Sequence, residues 1–148
     1  MVAQPDETFL RQAVAEAELG FREGGIPIGS VLVRNGRVIG TGRNRRMQHG
    51  SPTRHAEIDC LENAGRQRTY RDTILYSTLM PCYLCGGAVV QFGIPRVVVG
   101  DASLFAGSTN FLRDQGVILE IANDPTSRDL LKAFIRVHPD VWNEDIGV

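Results

Sequence analysis

Two short stretches of the chain contain residues that could bind a metal ion and move protons. The first is His55-Ala56-Glu57, and the second is Pro81-Cys82-Tyr83-Leu84-Cys85. One imidazole and two thiolates are suitable ligands for a tetrahedral zinc ion. Because three protein ligands leave the fourth position for water, this combination is typical of a catalytic zinc site rather than a structural one. We therefore predict one zinc ion per chain, bound by His55, Cys82 and Cys85.

Glu57 is the candidate for proton transfer at such a site. Cys82 and Cys85 are three positions apart and would share one face of a helix that opens at Pro81. His55 and Glu57 are two positions apart, so they can converge only beyond a helix start. Zinc lowers the pKa of its bound water to about 7. A carboxylate beside the ion can take that proton, pass it to a ring nitrogen, and carry a second proton to a departing amine.

Two other kinds of protein would use the same cysteines. A lone Cys-x-x-Cys is often a redox pair or half of a zinc knuckle. A redox pair leaves His55 and Glu57 unexplained, and a second Cys-x-x-Cys for a four-cysteine site is absent from the sequence. A zinc-stabilised binding module without enzyme activity needs a fourth protein ligand, for which His49 is the only candidate. The combined motifs therefore favour an enzyme.

The composition indicates one domain (residues 1–148) that binds neither nucleic acid nor membranes. The chain has 148 residues, with 16 basic and 17 acidic side chains, so it lacks the basic excess that phosphate binding favours. Residues 1–7 lack the basic and apolar regions of a signal peptide, and no apolar run is long enough to span a membrane. Cys60, left over from the metal site, is expected to be a small buried hydrophobe. Unpaired cysteines indicate a reducing compartment, so we expect a cytoplasmic protein.

The hydrophobic pattern predicts strands that alternate with helices. Strands are expected at residues 28–33, 38–41, 73–78, 97–99 and 117–121, with a tight turn at Asn35-Gly36. Helices are expected from a cap at Asp6 to about residue 23, from 55 to 64, after Pro81, and after Asp124-Pro125. Alternation of this kind predicts right-handed β-α-β units and a mixed sheet with helices on both faces.

Apolar residues at helical spacing mark the faces that are expected to pack inward. They are Leu10, Val14, Ala17 and Phe21 in the first helix, Ile58 and Leu61 in the second, Leu84, Ala88, Val89 and Phe92 in the third, and Leu130, Leu131, Phe134 and Val137 in the last. Gly86-Gly87 lowers helix propensity, which close packing against the metal region or a partner subunit would explain. Residues 45–54 contain three arginines and His49, and form either a solvated loop or a substrate mouth.

The chain resembles the cytidine-deaminase-like superfamily over nearly its whole length, and within it the fungal-type cytosine deaminases. The resemblance rests on Glu23-Gly-Gly-Ile-Pro-Ile-Gly29, His55-Ala-Glu57, Leu61-Glu-Asn-Ala-Gly65, Thr78-Leu-Met-Pro-Cys82, Gly93-Ile-Pro-Arg96, Val98-Val-Gly100 and Trp142-Asn-Glu-Asp-Ile-Gly147. It implies an α/β fold, specifically a three-layer α/β/α sandwich around a central mixed five-stranded sheet. It also implies a homodimer and the hydrolytic deamination of a free base.

The same resemblance implies a set of substrate contacts. Asn44 would hold the base through its amide, and Phe105 and Trp142 would pack on the ring. Asp145 would accept a hydrogen bond from the exocyclic amine. Trp142 and Asp145 are three positions apart, so on one helical turn they would face the same way and close over the pocket.

Two positions on the expected wall of the pocket depart from the fungal pattern. Ala56 stands where glycine is usual, and Met80 where serine is usual. A change of this size shifts selectivity by roughly 1–3 kcal/mol. Cytosine, isocytosine, 5-azacytosine and amino-s-triazines are therefore all candidate substrates. His-Ala-Glu is also the form found in the tRNA-adenosine and guanine deaminase branches, which gives the alternative function. The acidic C-terminal tail of this chain (Asp140, Glu144 and Asp145) argues against a polynucleotide substrate.

Overall fold

Helices and strands follow one another much as the hydrophobic pattern predicts. The structure is a computed structural model that describes residues 4–148. Within this range it contains seven helices, α1 Gln4–Arg22, α2 Arg46–His49, α3 Ala56–Ala64, α4 Tyr83–Phe92, α5 Thr109–Asp114, α6 Pro125–Val137 and α7 Pro139–Ile146. It also contains five strands, β1 Gly29–Arg34, β2 Arg37–Arg43, β3 Thr73–Leu79, β4 Arg96–Asp101 and β5 Ile118–Ile121. Asn35 and Gly36 both have positive φ, 49° and 75°, and form the predicted turn between β1 and β2.

The strands of residues 4–148 form one mixed sheet in the order β2-β1-β3-β4-β5. Strand β1 runs antiparallel to both β2 and β3, whereas β3, β4 and β5 are parallel. Parallel neighbours need a crossover, and α4 supplies one between β3 and β4. The five-stranded mixed sheet expected from the sequence is confirmed.

Helices cover both faces of the sheet and give it three layers. On one face, α1 and α6 pack over a core of Ala13, Val31, Val33, Tyr76 and Val98. On the other face, α3, α4 and α5 pack over a larger core that includes Cys60, Leu75, Val89, Val97 and Leu112. Val97 and Val99 face one core while Val98 faces the other, so β4 is buried on both faces, as is typical of a strand with apolar residues at successive positions. Cys60 is fully buried among apolar residues, as expected.

Four residues in three helices were predicted to face inward and are exposed instead. Phe21 is 42% exposed, because the buried stripe of α1 continues from Ala17 to Gly20. Leu84 and Phe92 are 45% and 48% exposed, because α4 turns Cys85, Gly86 and Val89 toward the core instead. Val137, the last residue of α6, is 66% exposed, because this helix turns Leu131 and Phe134 toward the core instead. Ile58 and Leu61 are only partly buried, and Ala56, Asp59 and Cys60 are the fully buried positions of α3.

Asp6 lies inside α1 and does not cap it, contrary to the prediction. Its carboxylate accepts hydrogen bonds from the Tyr76 hydroxyl, at 2.5 Å, and from the Arg96 guanidinium. The three groups tie α1 to β3 and β4 from beneath the sheet. Within residues 4–148, no helix is both long and apolar enough to cross a bilayer.

Candidate metal centre and active site

The three predicted zinc ligands converge at the starts of two helices. His55 is the residue before α3, Cys82 is the residue before α4, and Cys85 lies in the first turn of α4. His55 Nδ1 lies 3.4 Å from Cys82 Sγ and 3.7 Å from Cys85 Sγ. Usual zinc–nitrogen and zinc–sulfur bonds at a tetrahedral angle place these atoms about 3.6 Å apart. The three side chains therefore fit one zinc ion.

The environment of the ligands suits a cation. The Cys85 thiol donates a hydrogen bond to Cys82 Sγ and lowers the pKa of Cys82 to about 4, so a thiolate forms readily. Both sulfurs also lie at a helix N-terminus, where the backbone N–H groups favour negative charge. His55 Nε2 lies 3.2 Å from Asp145 Oδ1, which leaves Nδ1 for the metal.

Glu57 lies in the first turn of α3 and is 5% exposed. Burial raises the pKa of its carboxyl group to about 7. A carboxyl group with a pKa near neutrality can both accept and donate protons at physiological pH. Glu57 lies beside the ligand cluster and is not among the three residues whose ligand atoms converge.

A small cavity opens beside these groups. Its volume is about 20 Å³, room for one or two water molecules and well below the roughly 300 Å³ of typical small-molecule sites. Its walls come from the ends of β1, β2 and β3, the starts of α3 and α4, the loop after β4, and α7. The lining residues are Ile28, Asn44, His55, Ala56, Glu57, Leu79, Met80, Cys82, Phe105, Asp145 and Ile146.

Five of the six predicted substrate contacts therefore lie around this cavity, namely Asn44, Ala56, Met80, Phe105 and Asp145. The sixth, Trp142, is 6% exposed and lies behind Phe105. The two rings meet edge to face, with centroids 5.8 Å apart and planes at 84°. Trp142 thus supports the ring of Phe105 from outside the cavity.

Residues 3–101 match the family model described as the cytidine and deoxycytidylate deaminase zinc-binding region. The chain belongs to this family. It is a zinc-dependent hydrolytic deaminase, and the matched segment contains all three ligands and Glu57. The sequence is 42% identical to the cytosine deaminase of Candida albicans over 145 residues, which cover 96% of this chain and 97% of that one.

Other members of the family act on RNA. The sequence is 36% identical over 123 residues to a tRNA-specific adenosine deaminase of Buchnera aphidicola subsp. Schizaphis graminum, covering 81% of this chain and 82% of that one. A structure from work on A-to-I editing by tRNA:A34 deaminases matches with a TM-score of 0.74 and 28% identity, covering 84% of this chain and 99% of that one. The expected α/β deaminase fold is thereby confirmed.

The amide of Asn44 in this deaminase is oriented by both the backbone and the tail. Asn44 follows the last residue of β2, and its N–H donates to the carbonyl of Ile28 at 3.0 Å. The side-chain Oδ1 accepts from the Arg46 N–H at 3.0 Å. The side-chain Nδ2 donates to Asp145 Oδ1 at 3.3 Å. The amide is therefore held at the edge of the cavity next to Asp145.

The C-terminal helices bring Asp145 to the site from the far end of the deaminase chain. Asp124 caps α6 by accepting from the Ser127 N–H at 2.8 Å, and Pro139 opens α7. Helix α7 then places Trp142 and Asp145 on its inward side, as their spacing predicted. On the same helix, Glu144 Oε2 lies 3.2 Å from Arg46 Nε. Helix α7 thus forms one wall of the cavity through Asp145 and Ile146 and contacts loop 45–54.

Sequence reasoning missed four residues of the deaminase site. Ile28, Leu79 and Ile146 line the cavity, and Asp59 lies directly behind it. The three apolar residues adjoin predicted site residues in the sequence or on the next strand, but apolar side chains give no chemical signal. Asp59 did give a signal, since it is an acidic residue one helical turn after His55, at a spacing that points inward.

Proposed function

We propose that the protein hydrolyses the amino group of a small free heterocycle and releases ammonia. The proposed substrates are cytosine and its close analogues, isocytosine, 5-azacytosine and amino-s-triazines. The single observation that supports this proposal is the small cavity beside His55, Cys82 and Glu57, with α7 as one of its walls. The near full-length similarity to a cytosine deaminase includes this helix.

The residues around the cavity can divide the reaction among themselves. His55, Cys82 and Cys85 would hold a zinc ion, which would supply a bound water with a pKa of about 7. Glu57 takes a proton from the attacking water and gives it to a ring nitrogen of the base. It then carries the second proton to the departing amine, so water and base become an oxo-base and ammonia. Burial raises the pKa of Glu57 to about 7, which is close to that of a zinc-bound water.

Substrate recognition follows from the remaining walls. The Asn44 amide can both donate to and accept from a carbonyl and N–H edge, and the ring of Phe105 can pack on the base. Asp145 would accept from the exocyclic amine. Ala56 and Met80 are buried and set the shape of the cavity, so they are the positions at which selectivity among related heterocycles would be tuned.

A tRNA-adenosine or guanine deaminase activity is the second candidate. It is favoured by the similarity to tRNA-specific adenosine deaminases, and by an open groove beside the cavity that includes Pro52, Tyr83 and Leu84. Against it, the groove also contains Glu144, and the chain has a net charge of −1. Both features oppose the binding of phosphate groups.

Ammonia release tests the two candidates directly. Zinc-loaded protein is assayed with cytosine, isocytosine, guanine and amino-s-triazines, with cytidine and adenosine, and with a tRNA anticodon stem-loop. We expect turnover of at least one free pyrimidine or triazine and none of the matching nucleosides. Removal of residues 140–148 should abolish turnover at equal zinc content, because α7 forms one wall of the cavity. Efficient turnover of a nucleoside or of the stem-loop by the intact protein would establish the second candidate instead.

We also propose that the protein is a cytoplasmic homodimer that serves nucleobase salvage. Helix α4 carries three exposed large apolar side chains, Tyr83, Leu84 and Phe92, and a second copy that packs against this helix would cover part of this apolar surface. Cys60, Cys82 and Cys85 are all unpaired, which suits a reducing compartment. Light scattering at micromolar concentration should give twice the mass of the chain, and a stable monomer would contradict the assembly.

A further inference from the structure

The carboxylate of Asp59 is a buried charge outside the reaction site that accepts three hydrogen bonds. The residue lies in α3 and is fully buried. Oδ1 accepts a hydrogen bond from Arg54 Nε at 2.7 Å. Oδ2 accepts from Arg45 Nε and from the backbone N–H of Arg43, both at 3.0 Å. Burial raises the pKa of Asp59, but these donors outweigh burial and hold it below the usual value.

The three donors to Asp59 are the sequence neighbours of two functional residues. Arg43 and Arg45 flank Asn44, which lines the cavity, and Arg54 precedes the zinc ligand His55. The two ends of loop 45–54 also bond to each other, since the Arg45 N–H donates to the Arg54 carbonyl at 2.9 Å. Arg45 and Arg54, the two ends of loop 45–54, therefore lie together and form what we call the neck of the loop. The carboxylate of Asp59 binds both of these residues.

Helix α3 also connects Asp59 directly to the metal ligand His55. The N–H of Asp59 donates to the His55 carbonyl at 2.8 Å, which is the first hydrogen bond of α3. Asp59 thus contacts residues on both sides of Asn44, the residue before His55, and His55 itself. If the neck of the loop moved, the side-chain amide of Asn44 and the imidazole of His55 would move with it.

We infer that Asp59 is a positioning residue that fixes Asn44 and His55 relative to each other by holding the neck of loop 45–54 closed. The inference rests on the proposed function only where it assigns Asn44 to the substrate. Arg45 and Arg54 of the arginine-rich loop then act as a structural clamp, because the Nε–H of each donates to Asp59.

Arg46 makes two further contacts, which connect loop 45–54 to α7 and to its own second half. Beyond the neck, the Arg46 guanidinium contacts Glu144 of α7, and its second nitrogen donates to the Pro52 carbonyl at 2.8 Å. Arg46 therefore connects the loop to a helix that lines the cavity. The Glu144 side chain is 59% exposed, so this outer contact is weak compared with the buried one at Asp59.

Asp59→Asn tests the inference, with Asp72→Asn as the matched control. Asp72 is a surface acid that pairs with Arg34 before β3, at the opposite end of that strand from Met80 and Cys82. In Asp59→Asn, amide hydrogen exchange at Arg45 should accelerate by at least about 10-fold, because the neck opens more often. Release of zinc to a chelator should accelerate by about 10–100-fold, as for other residues that orient metal ligands. The control should leave both rates unchanged.

The kinetic readout separates positioning from general stability. In Asp59→Asn the KM for the free base should rise by about 10-fold while kcat of the zinc-loaded enzyme changes less, because Asn44 binds the base and takes no part in proton transfer. If wild-type protein does not turn over any free base, the proposed function fails, and amide exchange and zinc release still decide the role of Asp59. Wild-type rates for both in Asp59→Asn would overturn the inference.

A milder pair of variants applies if Asp59→Asn does not fold. Arg54 is 30% exposed, so its replacement leaves Asp59 bound by Arg45 and by the Arg43 N–H. Arg54→Gln should accelerate Arg45 amide exchange and zinc release, and Arg54→Lys should restore both in part, because it returns the charge. Equal behaviour of the two variants and the wild type would contradict the clamp.

Discussion

Replacing Glu57 by glutamine separates proton transfer from metal binding. Glutamine has nearly the same shape, so it can occupy the buried position in the first turn of α3 without a cavity or a clash. It cannot accept and donate a proton as a carboxyl group does. The ligand atoms of His55, Cys82 and Cys85 lie within 4.8 Å of one another without Glu57. Zinc should therefore remain bound in Glu57→Gln.

The size of the effect follows from the number of proton transfers that Glu57 performs. One general acid or base contributes about 10²–10⁴-fold to the rate. The pKa of about 7 places Glu57 near the optimum for this role at neutral pH. Because the proposed reaction passes two protons through the same carboxyl group, we expect a loss in kcat of at least about 10⁴-fold. This loss corresponds to about 5.5 kcal/mol of barrier.

The assay is steady-state ammonia release at saturating base, with metal analysis of the same samples. The matched control is Glu62→Gln, which alters an exposed glutamate one turn further along α3 and should behave as wild type. A Glu57→Gln enzyme within a few-fold of wild-type kcat would refute the proton-transfer role. Loss of zinc in Glu57→Gln would show instead that the carboxylate supports the metal.

Three further predictions concern the metal, the packing of α4 and the response to acid. Cys85→Ser should lose most of its zinc on dialysis against a chelator, and full retention would contradict the ligand assignment. Gly86→Ala should destabilise the fold by about 1–3 kcal/mol in urea unfolding, because the new Cβ would lie 2.3 Å from Ser108 Oγ. Gly87→Ala is the control, because a Cβ at that position meets no described atom within 4 Å. This control should be about as stable as wild type or up to about 1 kcal/mol more stable. The hydrogen bond from Arg96 lowers the pKa of Asp6 in the folded protein. Ionised Asp6 therefore stabilises the fold fully at pH values above its unfolded pKa of 3.8, and this stabilisation is lost as the pH falls through the lower pKa of the folded state. Asp6→Asn should therefore lower stability at pH 7 and much less at acid pH, and an equal loss at both would rule this out.

The metal site was predictable because its chemistry is local in the sequence. Ligands at the starts of helices appear as short motifs with fixed spacing, so the cluster of His55, Cys82 and Cys85 could be predicted before the fold was known, while the role of Glu57 beside it stays a prediction. The order of the strands and of α1, α3, α4 and α6 was equally accessible, since the periodicity of apolar residues changes at each boundary, whereas the short helices α2 and α5 were not predicted. Asn35-Gly36 fixed the first hairpin by turn chemistry alone.

What could not be predicted depends on contacts between distant parts of the chain. The place of Trp142 behind Phe105 follows from how α7 lies on the loop after β4, which no local pattern records. The exposure of Leu84 and Phe92 is a second example, because their helix has apolar residues on most sides and no clear polar face. Asp6 is a third, since an acid near a helix start usually caps it, and here the distant Tyr76 and Arg96 compete for it.

The spread of the site along the chain sets an order of assembly during synthesis. The ligands lie at residues 55, 82 and 85, whereas Asp145 meets Asn44 across 101 positions of sequence. A growing chain exposes the metal-binding residues well before the ribosome releases α7. Without α7 the ligands would be more open to solvent, so a zinc ion would reach them more easily before this helix packs against loop 45–54. Mature protein should accordingly exchange its metal more slowly than a chain that stops at residue 139.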